Sequence, residues 1–298
     1  MRFTHPPSSR RKSLFKAVNM KKIGFVDYYI SEWHANNYPA WIAEACEKMG
    51  LSYKVAYAYA EEYTSPYDGR NTDEWCRDFG AQKCESIKEL CEKSDVVIVL
   101  APSNPEKHLA YTSEVFKYGK RTYVDKTFAP DLKTAQVIFD IAKKYGTPFF
   151  SSSALRYADE LSKINTDRGI ATTGGGSNLP EYIIHQVEML VKLMGKAEKV
   201  MATKEGDTVL FDVTYQDGRM AKMAYSPSLS FTVRTLDATE PIGISSPFFV
   251  SLIADMVRFF ESGETSFDGE ETLEVMRLRE AALIASEAPG KWIDLNSI

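Results

Sequence analysis

No stretch of the 298-residue chain is apolar for long enough to cross a membrane, and no surplus of positive charge suits it to nucleic acid. Lysine and arginine number 36 against 41 aspartates and glutamates, a formal net charge of −5. Cysteine is scarce. Cys46, Cys76, Cys84 and Cys91 form neither a CxxC pair nor a zinc-ligand spacing, and read as reduced thiols of a cytoplasmic protein. Four histidines, with no Asp/Glu/His cluster in metal-ligand order, leave no metal expected. Internal repeats and low-complexity tracts are missing. The first 19 residues lack acidic side chains and carry five basic ones; with Met20-Lys-Lys placed as a natural start, they read as a leader without the apolar core of a secretory signal.

What is present has the balance of a soluble enzyme: 44% hydrophobic and 26% charged residues, in a length that suits two domains. Val96–Leu100 and Thr122–Val124 have the β-branched content of buried parallel strands, and the segments near 105–118 and 131–145 carry helical spacing. Lys22–Val26, Tyr53–Ala60 and Pro148–Ser152 extend the alternation, which is the βαβ signature of a parallel sheet. Beyond it come a helix near Pro180–Met194 and four β-type runs, with a hairpin signal at Gln216-Asp217-Gly218-Arg219. Two closing helices, near Pro247–Glu261 and Gly269–Ser286, follow. The expected fold is α/β: a Rossmann-type parallel sheet over residues 20–152, then a smaller α+β domain over 153–298 with a mainly antiparallel sheet.

Lys126 falls just past the carboxyl end of a strand, the edge at which open α/β sheets bind ligands. Partial burial in a cleft lowers a lysine's pKa toward values useful for proton transfer. An ion pair with Asp125 or Asp131 is the plainer account. Glu181, His185 and Glu188 share one helix face, an arrangement that favours the protonated imidazole; a solvated polar stripe is the alternative. Glu61 ends the second strand, where an acidic side chain accepts a ribose hydroxyl and selects NAD over NADP, although Glu61-Glu62 also reads as a solvated edge. His108 caps or packs at its helix start. Arg156 and Tyr157 follow the sixth strand, where they contact substrate or, for Arg156, an interdomain carboxylate. Tyr28, Tyr29, Trp33, Tyr38 and Trp41 form an aromatic patch for ring stacking or for helix–sheet packing.

Three segments resemble the Gfo/Idh/MocA family, oxidoreductases related to glucose–fructose oxidoreductase and inositol dehydrogenase. VVIVLAPSNPEKH (Val96–His108) is similar to that family's strand and "P…H" turn, and GKRTYVDKT (Gly119–Thr127) to its "GKHVLVEKP". EYIIHQVEMLVKLMG (Glu181–Gly195) is similar to "DxGxHxxDxxxxxxG". The resemblance implies NAD or NADP as cofactor, with NAD favoured, and a sugar, polyol or related hydroxylated substrate. It implies catalytic roles for Lys126 and His185. It puts Asp27, Tyr28, Ser31, Glu61, Pro102, Asn104, His108 and Asp125 at the cofactor, and Arg156, Tyr157, Glu181 and Glu188 at the substrate. It further implies a homo-oligomer formed through the C-terminal sheet. The departures are specific. Val26-Asp27-Tyr28-Tyr29-Ile30-Ser31 carries none of the GxGxxG glycines that let a backbone approach a pyrophosphate. Tyr38-Pro39 is expected to interrupt the first helix, and the second domain is shortened. These departures support a rival reading, a ligand-binding or regulatory relative without ordinary dinucleotide binding.

Overall fold

The structure, a computed structural model, describes residues 20–298; the expected leader lies outside the described residues. The first half alternates β1 (Lys21–Asp27), α1 (Trp33–Met49), β2 (Tyr53–Ala60), α2 (Thr72–Phe79), β3 (Gln82–Lys83), α3 (Ile87–Lys93), β4 (Val96–Val99), α4 (His108–Val115), β5 (Thr122–Val124), α5 (Leu132–Tyr145) and β6 (Phe149–Phe150). All six strands are parallel, in the order β3-β2-β1-β4-β5-β6. The chain order reverses between β1 and β4, which opens a crevice at their carboxyl ends.

α1 runs unbroken through Pro39, against the expected interruption. A proline inside a helix costs about 3 kcal/mol. Tyr38, Ile42 and Ala45 are buried on the same helix, and a large apolar side chain contributes roughly 1.5–3 kcal/mol on burial. Tertiary packing wins over local preference.

The second half comprises β7 (Ile170–Gly174), α6 (Leu179–Met194), β8 (Lys199–Glu205), β9 (Thr208–Thr214), β10 (Met220–Tyr225), β11 (Thr232–Thr235), β12 (Ile242–Gly243), α7 (Phe248–Ser262), α8 (Gly269–Glu287) and β13 (Trp292–Asp294). Its seven-stranded sheet has the order β12-β11-β7-β10-β9-β8-β13. Only the β7–β10 pair is parallel. The architecture is therefore α/β with a parallel Rossmann-type sheet and a mainly antiparallel second sheet. β7 escapes a sequence reading because its five residues run into Gly174-Gly175-Gly176. Those glycines have a packing reason: a Cβ on Gly174 would lie 2.4 Å from the Phe231 ring, and one on Gly176 would lie 2.0 Å from the Tyr182 ring. The glycine run seats two aromatic side chains.

α7 returns to the first sheet, where Leu252, Ile253, Met256 and Phe260 share a core with Ile23, Phe25 and Ile42. α8 packs with α6 and the second sheet, Val275 and Leu278 joining Ile184, Val187 and Phe211. Among the described residues no helix is long and apolar enough to cross a membrane.

Glu160, in a short 3-10 turn after β6, anchors the start of α7. Its carboxylate accepts from the Ser245 and Ser246 amides at 3.0 and 2.9 Å and from both hydroxyls. Desolvation alone would raise this carboxyl, but those donors outweigh it and hold it at about 2, against an ordinary 4.5. A depressed folded-state value means stabilisation that is full above pH 4.5 and lost as pH falls toward 2. Glu160→Gln should lower unfolding stability at neutral pH by about 1–2 kcal/mol, and the two proteins should converge near the acid end of a urea-denaturation series.

Candidate active site

β1 delivers Asp27 to the crevice. Its Oδ1 accepts from the Tyr28 amide at 2.7 Å and from the Ala101 amide at 3.0 Å. Ala101 adopts a φ of 69°, a left-handed conformation that costs an alanine energy and is held here by that bond. The second oxygen, Oδ2, is buried without a hydrogen-bond partner. Burial, and then the charge of Glu32, pushes the Asp27 carboxyl well above its ordinary value. Glu32 caps α1: its carboxylate accepts from the His34 amide at 2.7 Å and from the Ala35 amide. It is itself buried.

Across the crevice, β5 ends in Asp125, which is fully buried. One of its oxygens pairs with His34 Nδ1; the other accepts from the Lys126 amide at 2.8 Å and from the Tyr38 and Tyr123 hydroxyls, both at 3.3 Å. Burial alone would raise this carboxyl, yet His34 beside it, with Lys126, holds it below the ordinary value. Asp125 thereby fixes where the next side chain emerges. The Lys126 ammonium donates to the Pro102 carbonyl at 3.4 Å and lies 3.9 Å from Glu181.

α6 supplies the opposing wall. Asn178 caps it and Glu181 accepts from Ser103 at 2.6 Å, joining the loop after β4 to the second half. One turn on, His185 Nδ1 lies 2.7 Å from Ser153 Oγ. Ser153 Oγ also accepts from the Leu155 amide. The hydroxyl keeps a second lone pair, so Nδ1 either accepts the Ser153 proton or donates to that oxygen; when it accepts, Nε2 carries the ring N–H. Burial, then the charges of Lys126 and His34, pushes the imidazole well below its ordinary value, so the ring is neutral at pH 7. This corrects the expectation of a protonated histidine between two carboxylates. Glu181 is turned to Ser103, and Glu188 is turned to Arg156.

Lys126, His185, Glu181, Glu32 and Pro102 line one cavity of about 450 Å³, walled by Tyr182, Phe231, Phe248 and Phe249 among others. The volume and the mixture of apolar walls with few polar groups are those of a small-molecule site. Other expected residues lie elsewhere. Arg156 and Glu188 form a buried ion pair at 3.0 Å, with Glu271 on the far side of the guanidinium, and Tyr157 donates to Asp255 at 2.8 Å. None of the three lines the cavity, because the apolar interior demands a partner for each charge; all their partners here lie within residues 153–298. Ser31 donates to Asp68 at 2.7 Å. The His108 ring sits between the Leu100 and Phe128 carbonyls as a packing group. Asn104 donates to Glu106 at 3.0 Å outside the cavity. Glu61 binds Lys107 at 2.5 Å and Tyr111 at 2.7 Å, and that lysine stands 4.3 Å over the Tyr28 ring. Among the described residues no group of three or more His, Cys, Asp or Glu side chains is placed to hold a metal ion. The residues a sequence reading passes over are Glu32, His34 and Ser153. Glutamate is not among the preferred N-cap residues, so no local signal marks the first; the other two gain their partners only through tertiary structure.

A doubly wound sheet, a second lobe over its carboxyl edge and a cavity between them define a two-domain Rossmann-type protein with a small-molecule cleft. The sequence model of the Gfo/Idh/MocA family, described as an oxidoreductase family with an NAD-binding Rossmann fold, matches residues 62–152. The fold is shared with an oxidoreductase from Agrobacterium radiobacter solved with NAD+, L-tartaric acid and magnesium (TM-score 0.72, 14% identity, 93% of this chain and 99% of that one). It is shared also with aldose-aldose oxidoreductase from Caulobacter crescentus, complexed with glycerol (TM-score 0.72, 14% identity, 92% and 99%). An NAD-binding oxidoreductase from Klebsiella pneumoniae gives a TM-score of 0.69 at 14% identity, with 93% and 99% covered. Sequence comparison with curated proteins finds no match.

NAD is the family's cofactor, and the β1–α1 turn lies outside the matched segment. The amides that a dinucleotide phosphate needs are present at the start of α1, converging on one point. Those amides would serve a phosphate only with the Glu32 carboxylate displaced, and the buried Asp27 carboxylate adjoins the same point. Tyr28 and Tyr29 occupy the turn where glycines would give closer backbone approach.

Asp125→Ala should unfold at lower urea concentration, with a loss of about 3–5 kcal/mol, because it leaves His34 and two tyrosine hydroxyls without their buried acceptor. Chemical denaturation followed by tryptophan fluorescence measures this directly.

Proposed function

We propose that the chain is an NAD(P)-linked oxidoreductase acting on the CH–OH group of a sugar, polyol or related ring compound. The observation that supports this reading is the convergence of Lys126 and His185, one from each half, on a single cavity. A bound nicotinamide supplies the hydride acceptor or donor. Lys126 orients the substrate oxygen; as the neutral amine it takes the proton when the alcohol is oxidised, and as the ammonium so formed it returns that proton when the carbonyl is reduced. His185 donates through Nε2 to the same oxygen, stabilising negative charge as it develops there. Its neutral state keeps a second positive charge away from the Lys126 ammonium. The rings of Tyr182 and Phe231 suit the apolar face of a sugar, while Glu181 accepts from a neighbouring hydroxyl. Arg156, Glu188 and Tyr157 support the walls and have no ligand role in this reading.

A panel of inositols, hexoses and sugar acids with NAD+ or NADP+, followed at 340 nm, tests the proposal. At least one compound should reduce the nucleotide, and Lys126→Ala or His185→Ala should slow it by about a hundredfold or more. Silence across the panel, together with ligand-induced thermal shifts that are lost in Lys126→Ala, would favour the rival reading: a binding protein without hydride transfer. The buried Glu32 and Asp27 carboxylates are the observation behind that rival.

The four free, buried thiols suit a reducing cytoplasm. The second sheet is the surface we assign to self-association. Light scattering after size exclusion should give a dimer or larger assembly; a monomer at tens of micromolar protein would refute that assignment.

A further inference from the structure

Open α/β sheets receive the phosphates of a nucleotide at the switch point, where the first helix presents its unpaired amides. In this chain the amides of His34 and Ala35 are already satisfied by the carboxylate of Glu32, 6% exposed and part of the cavity wall. Acidic side chains near a helix start are common by themselves. The surroundings of this one are not. Asp27, 1% exposed, lies beside it, with one oxygen on the Tyr28 and Ala101 amides and the other without a partner. Asp125 faces them from the end of β5 and is matched by His34. The point at which a phosphate would sit thus already holds one anion and adjoins a second carboxylate that has an unused acceptor.

We propose that Glu32 is an internal place-holder for the cofactor's phosphate: it occupies the α1 anion point in the free protein and must swing away before a dinucleotide can seat. The inference rests on the reading of the cleft as a nicotinamide site. It makes Glu32 the residue that sets dinucleotide affinity while leaving the nicotinamide end of the cleft untouched. Serine in its place still caps the helix through a neutral hydroxyl and leaves space and free amides for a phosphate. Glutamine keeps the size and one acceptor oxygen for the amides but removes the charge.

Fluorescence titration with NADH, and competition by ADP-ribose and by nicotinamide riboside, test this on wild type, Glu32→Ser and Glu32→Gln. Glu32→Ser should bind NADH and ADP-ribose at least about tenfold more tightly than wild type, the equivalent of one charge-assisted contact no longer in competition. Glu32→Gln should fall between the two. Nicotinamide riboside, which has no phosphate, should bind all three alike. Equal or weaker NADH binding by a folded Glu32→Ser protein overturns the place-holder and leaves the cofactor reading standing. An equal gain for nicotinamide riboside also overturns it, because the effect would then not arise at the phosphate. Absence of NADH binding to all three proteins overturns both. If Glu32→Ser does not fold, as judged by circular dichroism, Glu32→Gln decides: no gain in NADH affinity rejects the proposal.

Discussion

The cleft depends on one buried carboxylate. Asp125 collects donors from α1, from β5 and from the backbone of its own turn, so a single residue locates the start of the first helix against the end of the fifth strand. An uncompensated charge at that depth would be prohibitive, and His34 makes it tolerable. Lys126 follows directly, its backbone amide already committed to the same carboxylate. Its side chain therefore leaves the sheet in one direction only, toward α6. A flexible, strongly hydrated group becomes a positioned one because its neighbour has no freedom.

Desolvation decides the character of the second basic group. From helix spacing alone, His185 has acidic neighbours on both sides. In the folded protein each neighbour has a stronger partner: Ser103 for Glu181, and Arg156 for Glu188. What remains around the ring is apolar wall and Lys126, so the imidazole stays neutral, with its Nδ1 held at Ser153. Periodicity places side chains on a face; it does not reveal which of them will find better company elsewhere.

The same distinction separates what was legible in the sequence from what was not. The alternation of β-branched runs with helical spacing is local information, and it located the six-stranded sheet and Lys126. The turn at Gly218 was legible for the same reason. β7 was hidden because the evidence for it lies across the sheet, in the rings of Phe231 and Tyr182 that need Gly174 and Gly176 beneath them. Pro39 misled because its local penalty is smaller than the burial of the helix face around it. Arg156 and Tyr157 follow a predicted strand and Glu188 sits on a predicted helix face, and only the topology shows which partners they find behind the cavity. The conversion of the phosphate turn was visible as missing glycines, but its physical content, an acidic side chain seated on the helix amides, required the fold.

α7 has a consequence of another kind. Nearly a hundred residues of intervening chain separate it from β6, yet its Leu252, Ile253, Met256 and phenylalanines cover one side of the first sheet. A fragment ending after β6 would carry that side bare, a broad greasy surface prone to clumping. The two lobes therefore cannot be shuffled as independent modules during evolution or in engineered chimaeras: whatever recombines with the first must bring its own covering helix.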